Sequence, residues 1–90
     1  MKEYIIKEDF KLRQIGENYI VVALGKTSKV FNGMITLNES GAFLWKTLKE
    51  VKTKEALLSA FTSEYDVDID TAKKDIDNFV GKLEENGIFE

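Results

Sequence analysis

The spacing of apolar residues changes once along this chain. Before residue 38 they alternate with polar residues or form short runs, and after it they recur every three to four residues. Residues 11–15 read as a short strand, and Gly16, Glu17 and Asn18 form a three-residue connection rich in turn formers. A second strand spans residues 19–24, where Tyr19, Ile20, Val21 and Val22 suit a pleated surface. Its near-continuous apolar run predicts a central strand covered on both faces. Residues 25–29 read as a polar loop, and Gly33 punctuates a third extended stretch over residues 34–37.

Asn38 is a good N-cap for a first helix over residues 39–50. Its apolar face is Gly41, Leu44, Trp45, Leu48 and Val51, and glycine on that face would weaken the helix unless close packing requires it. Thr53 caps a second helix reaching about residue 65, with Leu57, Ala60, Phe61 and Tyr65 as its buried face. Asp66, Asp68 and Asp70 form an acidic junction into a third helix. There Ile69, Ala72, Ile76, Phe79 and Leu83 repeat as a clean amphipathic stripe. Asn86 and Gly87 end it, and Ile88 and Phe89 fold back onto the core. On a helical wheel Val80 widens the stripe on one flank, beside Lys73 and Asp77. The opposite flank carries Asp75, Lys82 and Asn86.

Strands first and helices after predict an α+β fold with three antiparallel strands followed by three helices, like a winged helix-turn-helix. At 90 residues the chain is expected to form a single domain over residues 1–90. No apolar run approaches a membrane span, and the alternating N-terminus has no signal-peptide core, so a cytoplasmic location is expected, with no membrane partner. The chain has no Cys and no His. That removes disulfides, metal sites built on nitrogen or sulfur, the usual general base and every thiol nucleophile. The expectation is a protein that is not an enzyme and holds no cofactor and no metal.

Several constellations invite chemistry and give way to simpler readings. Asp66, Asp68 and Asp70 have the alternate spacing of a calcium loop, but Thr71 and Asp77 stand where such a loop needs Gly and Glu, so the acids read as helix-cap chemistry. Trp45, Phe61 and Phe79 fall on buried helix faces and read as core, while Phe43 lies off that face. Lys26 and Lys29 read as solubilising charges. A winged helix raises the alternative of a DNA-binding regulator. Residues 66–90 carry three basic and eight acidic side chains, a net of −5, and the only Arg is Arg13, so no nucleic-acid partner is expected. An enzyme working with carboxylates alone is the third reading, with no acid pair to place in a cleft.

The segments Leu12-Arg13-Gln14-Ile15-Gly16-Glu17-Asn18-Tyr19 and Gly33-Met34-Ile35-Thr36-Leu37-Asn38-Glu39-Ser40-Gly41-Ala42-Phe43-Leu44-Trp45 resemble the PqqD family. Thr53-Lys54-Glu55, Tyr65-Asp66-Val67-Asp68, Thr71-Ala72, Phe79-Val80 and Gly87-Ile88 continue the likeness, which spans about residues 10–89. Members of that family are peptide chaperones, also called precursor-peptide recognition elements. The resemblance implies a non-catalytic domain that binds the leader segment of a ribosomally made precursor peptide and presents it to a modifying enzyme, a radical S-adenosylmethionine (radical SAM) enzyme in the original case. It also implies that the leader adds as a strand beside the third strand, in a cleft against the third helix. On that basis Met34, Ile35, Thr36 and Leu37 on the strand, with Ile76, Asp77 and Val80 on the helix, are expected to form the peptide site. Lys73 is expected to pair with an acidic leader residue at the rim.

Overall fold

The computed structural model describes residues 2–24 and 35–90. The loop expected at residues 25–29, with Lys26 and Lys29, and Gly33 and Met34 lie outside the described residues. Three antiparallel strands precede three helices: β1 (Phe10–Ile15), β2 (Asn18–Ala23), β3 (Ile35–Leu37), α1 (Glu39–Val51), α2 (Lys54–Glu64) and α3 (Ile69–Glu85). The expected α+β architecture is the one observed.

The first connection is shorter than the expected three residues. Ile15 pairs with Asn18, which leaves Gly16 and Glu17 as a two-residue hairpin loop. Gly16 sits at φ +62°, the left-handed setting that such a loop needs at its first position. The sheet order is β1-β2-β3, so β2 is central and both outer strands present an edge. The core face carries Phe10, Val21, Ile35 and Leu37, all buried. The opposite face corrects the expectation that β2 is covered on both sides. Ile20 and Val22 point there and are only half-buried, and Ile15 on β1 is 60% exposed. The apolar run of β2 reflects its central position in the sheet, with no second covering layer among the described residues.

The helix caps form as their sequences predict. Asn38 Oδ1 accepts from the Gly41 N–H at 2.8 Å, Thr53 Oγ1 from the Ala56 N–H at 3.2 Å, and Asp68 Oδ2 from the Thr71 N–H at 3.2 Å. Each satisfies one of the orphan donors of a first helical turn. Lys52 ends α1 in the left-handed region at φ 66°, its N–H donating to the Leu48 carbonyl. A Cβ on Gly41 would lie 3.1 Å from Leu37 Cβ and 3.2 Å from Asn38 Oδ1, so α1 enters so close to β3 that any larger residue would need the strand or the cap to give by a few tenths of an ångström.

The core joins the inner sheet face to Leu44, Trp45 and Leu48 of α1, Leu57 and Phe61 of α2, and Ala72, Ile76, Phe79, Val80 and Leu83 of α3. Two helix expectations shift. Ile69 is 56% exposed, because the stripe closes only from Ala72 onward, and Val80 is 0% exposed, at the heart of the core. Ala60 and Tyr65 of the second helical face are half-buried. Alternation at the N-terminus resolves into a clasp with the C-terminus. Ile6 bridges Phe89, the Lys7 N–H donates to the Ile88 carbonyl at 2.9 Å, and the Glu90 N–H donates to the Ile5 carbonyl at 2.8 Å. Tyr4, Ile6 and Ile88 are buried there.

Candidate functional site

Among the described residues, no strand pairs with the outer edge of β3, which leaves backbone capacity there. In a two-residue hairpin the closing pair, here Ile15 and Asn18, exchanges both hydrogen bonds, and bonded and non-bonded pairs then alternate. Asn18, Ile20 and Val22 therefore turn their backbone groups to β1, and Tyr19, Val21 and Ala23 turn theirs to β3. Tyr19 pairs with Leu37, Ile20 with Thr36 and Val21 with Ile35. Leu37 and Ile35 thus bond to β2, while the N–H and C=O of Thr36 point away from the sheet. The Ile35 and Leu37 side chains enter the core and that of Thr36 is exposed.

Beside that edge lies a cleft of about 570 Å³ between β3 and α3. Leu37, Leu44, Phe61 and Phe79 form its apolar floor, and Asn18, Asn38 and Ser40 close one side. Asp75, Asn78 and Lys82 form the α3 wall. Phe61 ties the floor to an aromatic group with Phe43, at a centroid distance of 6.4 Å, and Tyr65, at 5.2 Å. Phe43 meets Tyr65 edge-on at 5.4 Å. Burial pushes the Tyr65 phenol above its ordinary pKa, with the Glu39 and Glu64 carboxylates adding to the effect.

The expected site residues divide between two places. Thr36 and Leu37 line this cleft, whereas Lys73, Ile76 and Asp77 line a smaller depression of about 200 Å³ against Lys54, Glu55 and Leu58 of α2. Lys54 Nζ donates to Asp77 Oδ1 at 3.0 Å across that second site, and the carboxylate holds the ammonium above the ordinary lysine pKa. Ile35 and Val80 are enclosed in the core. Of the two flanks of the helical wheel, the one widened by Val80 borders α2. The flank bearing Asp75 and Lys82 is the one that faces β3. Asn18, Asn78 and Phe79 complete the cleft. Of these, Phe79 was legible only as core, and nothing in the spacing singled out the two asparagines.

The acidic junction before α3 is cap chemistry. Asp68 Oδ2 also accepts from Thr71 Oγ1 at 2.7 Å, and this bond, with the backbone bond, holds the Asp68 carboxyl below its ordinary pKa. Among the described residues no group of acids is placed to hold a metal ion, and no helix is long and apolar enough to cross a membrane.

Fold and cleft together define a small winged-helix-like domain with one strand edge left open beside a helix. The chain belongs to the PqqD family: the model described as "Coenzyme PQQ synthesis protein D (PqqD)" matches residues 18–88. Two solved structures share the fold. "TbiB1 in Complex with the TbiA(beta) Leader Peptide" is 26% identical at a TM-score of 0.74, covering 100% of this chain and 95% of that one. "Lasso peptide synthetase B1 complexed with the leader peptide" is 23% identical at 0.73, covering 96% and 95%. None of the curated proteins matches this chain.

Proposed function

We propose that this protein is a non-catalytic peptide chaperone, a single domain working in the cytoplasm, that captures a precursor's leader segment as a fourth strand on β3. The captured peptide is presented to a modifying enzyme of the radical SAM class. The observation that carries the reading is the outward-facing backbone of Thr36 beside the cleft. It is supported by family membership and by a relative, 26% identical, whose structure is a leader-peptide complex. Strand addition needs only unpaired backbone and pockets for alternate side chains, so a chain with no Cys and no His can perform it.

The energetics assign the cleft its part. The outward N–H and C=O of Thr36 can make two backbone hydrogen bonds at ~0.5–1.5 kcal/mol each, whereas ordering a bound segment costs ~1–2 kcal/mol per residue. The backbone bonds alone do not offset that cost. Net affinity then comes from apolar leader side chains set against Leu37 and Phe79, at ~25 cal/mol per Å² buried.

The test is to search the neighbouring reading frames for a short precursor peptide and to titrate the peptide so found. Thr36→Pro removes the outward N–H without touching the β2–β3 bonds, so the domain stays folded. Binding weakens by at least the ~0.5–1.5 kcal/mol of the lost bond, and by more where the ring crowds the incoming strand. Thr36→Val keeps the N–H and binds as the parent does. Equal affinity for the Thr36→Pro and parent proteins excludes strand addition at this edge.

A further inference from the structure

The α3 wall of the cleft carries two charges of opposite sign that make no ion pair among the described residues. The one ion pair among those residues, Lys54 with Asp77, lies on the other flank. Asp75 and Lys82 are both exposed and both line the cleft. They stand seven residues apart on α3, which at ~1.5 Å per residue places them roughly 10 Å apart along its axis. Between them Phe79 and, from the strand side, Leu37 reach the floor.

An added strand would run along this wall. Its side chains on the α3 side recur at every second residue, ~6.8 Å apart, so three consecutive ones span ~13.6 Å. That span exceeds the separation of the two charges by only a few ångströms, within the reach of a lysine side chain. Resting on the reading above, we infer that the captured segment carries opposite charges flanking an apolar residue. A cation faces Asp75, the apolar residue meets Phe79 and Leu37, and an anion faces Lys82. The recognised pattern is cation–x–apolar–x–anion in one chain direction. Charges at a rim contribute to orientation and on-rate more than to total affinity, so this pair sets the direction and register of the strand. A three-residue edge offers few backbone bonds to fix register, so register falls to the side chains, which a one-residue shift would turn to the other face.

Two synthetic peptides of one composition separate the possibilities, with the cores Lys-Thr-Leu-Thr-Glu and Glu-Thr-Leu-Thr-Lys between identical strand-forming flanks. Titrated by fluorescence anisotropy at low ionic strength, the parent protein prefers one order by about 3- to 30-fold, the range expected of two rim pairs, and added salt narrows the gap. The double variant Asp75→Lys/Lys82→Glu prefers the other order. Both positions are exposed, so its thermal melt matches the parent's. Equal binding of the two orders by the parent, or a preference unchanged in the double variant, overturns the charge assignment. If Thr36→Pro weakens both peptides in that case, strand addition stands without it. Binding of neither peptide also overturns the charge assignment, and titration of the genomic precursor then decides the reading on which it rests.

Discussion

The two flanks of α3 share a helix and a similar composition, yet they do different work. One bears Val80, buried in the core, with Lys73 and Asp77 exposed along a depression shared with α2 and tied to it by the Lys54–Asp77 pair. The other bears Asp75, Asn78 and Lys82 and faces the open edge of β3. The covered flank is the more apolar of the two. That is a general lesson for reading amphipathic helices. An apolar residue at the margin of a stripe marks where the protein packs on itself, and a polar margin can be the one left for a partner.

The sharpest way to break this contrast is to place the same charge on each flank. Val80→Asp puts an unpaired carboxylate at a site with 0% exposure, and the domain should be largely unfolded at 25 °C by circular dichroism. Asn78→Asp on the exposed flank should melt close to the parent. Leu83→Ala calibrates the scale at about 2–5 kcal/mol for a core cavity. A folded Val80→Asp protein would show that the two flanks are not distinct.

A smaller effect sharpens the boundary between β3 and α1. Helix propensity favours alanine over glycine by ~1 kcal/mol. At Gly41 the new Cβ would meet Leu37 Cβ at 3.1 Å, and that atom belongs to a strand pinned to β2. Gly41→Ala should therefore lower stability, by up to ~2 kcal/mol in denaturant titration. A gain would mean that β3 yields easily.

The smallest effect lies in the Lys54–Asp77 pair. The pair is well exposed, so Lys54→Met should change stability by less than about 1 kcal/mol. Its folded pKa is raised, so the contribution is fully present below the ordinary value of 10.5 and is lost as pH rises through the higher folded value. The difference between parent and variant melts should persist at neutral pH and fade only in strong alkali.

Much of the fold was legible because local signals agreed with the final structure. Asn38 and Thr53 cap the helices they were expected to cap, Asp68 is the acid of the expected junction that caps α3, and Gly41 marks a close approach. What escaped notice depends on distant packing. Which margin of α3 stays open is decided by where α2 lies, and no periodicity within α3 encodes that. The hairpin register turned on Asn18, which reads as a turn former and serves as the first residue of β2. The open edge at Thr36 could be derived only once that register was known. Phe79 looked like core and is core, but its residual exposure faces the cleft, which spacing alone does not distinguish.

The clasp between the chain ends has a kinetic meaning. The β1–β2 hairpin and the α1–α2 and α2–α3 packings join neighbours in sequence, so they close early and at little loop entropy. The Ile6–Phe89 bridge instead ties residues near the two ends, and closure entropy rises with the logarithm of the loop so closed. Loop closure alone would place it among the last contacts to form. Every residue lining the cleft lies between Asn18 and Lys82, inside that closure. Opening of the clasp can relax the ends while the outer edge of β3 and the α3 wall of the cleft keep their places.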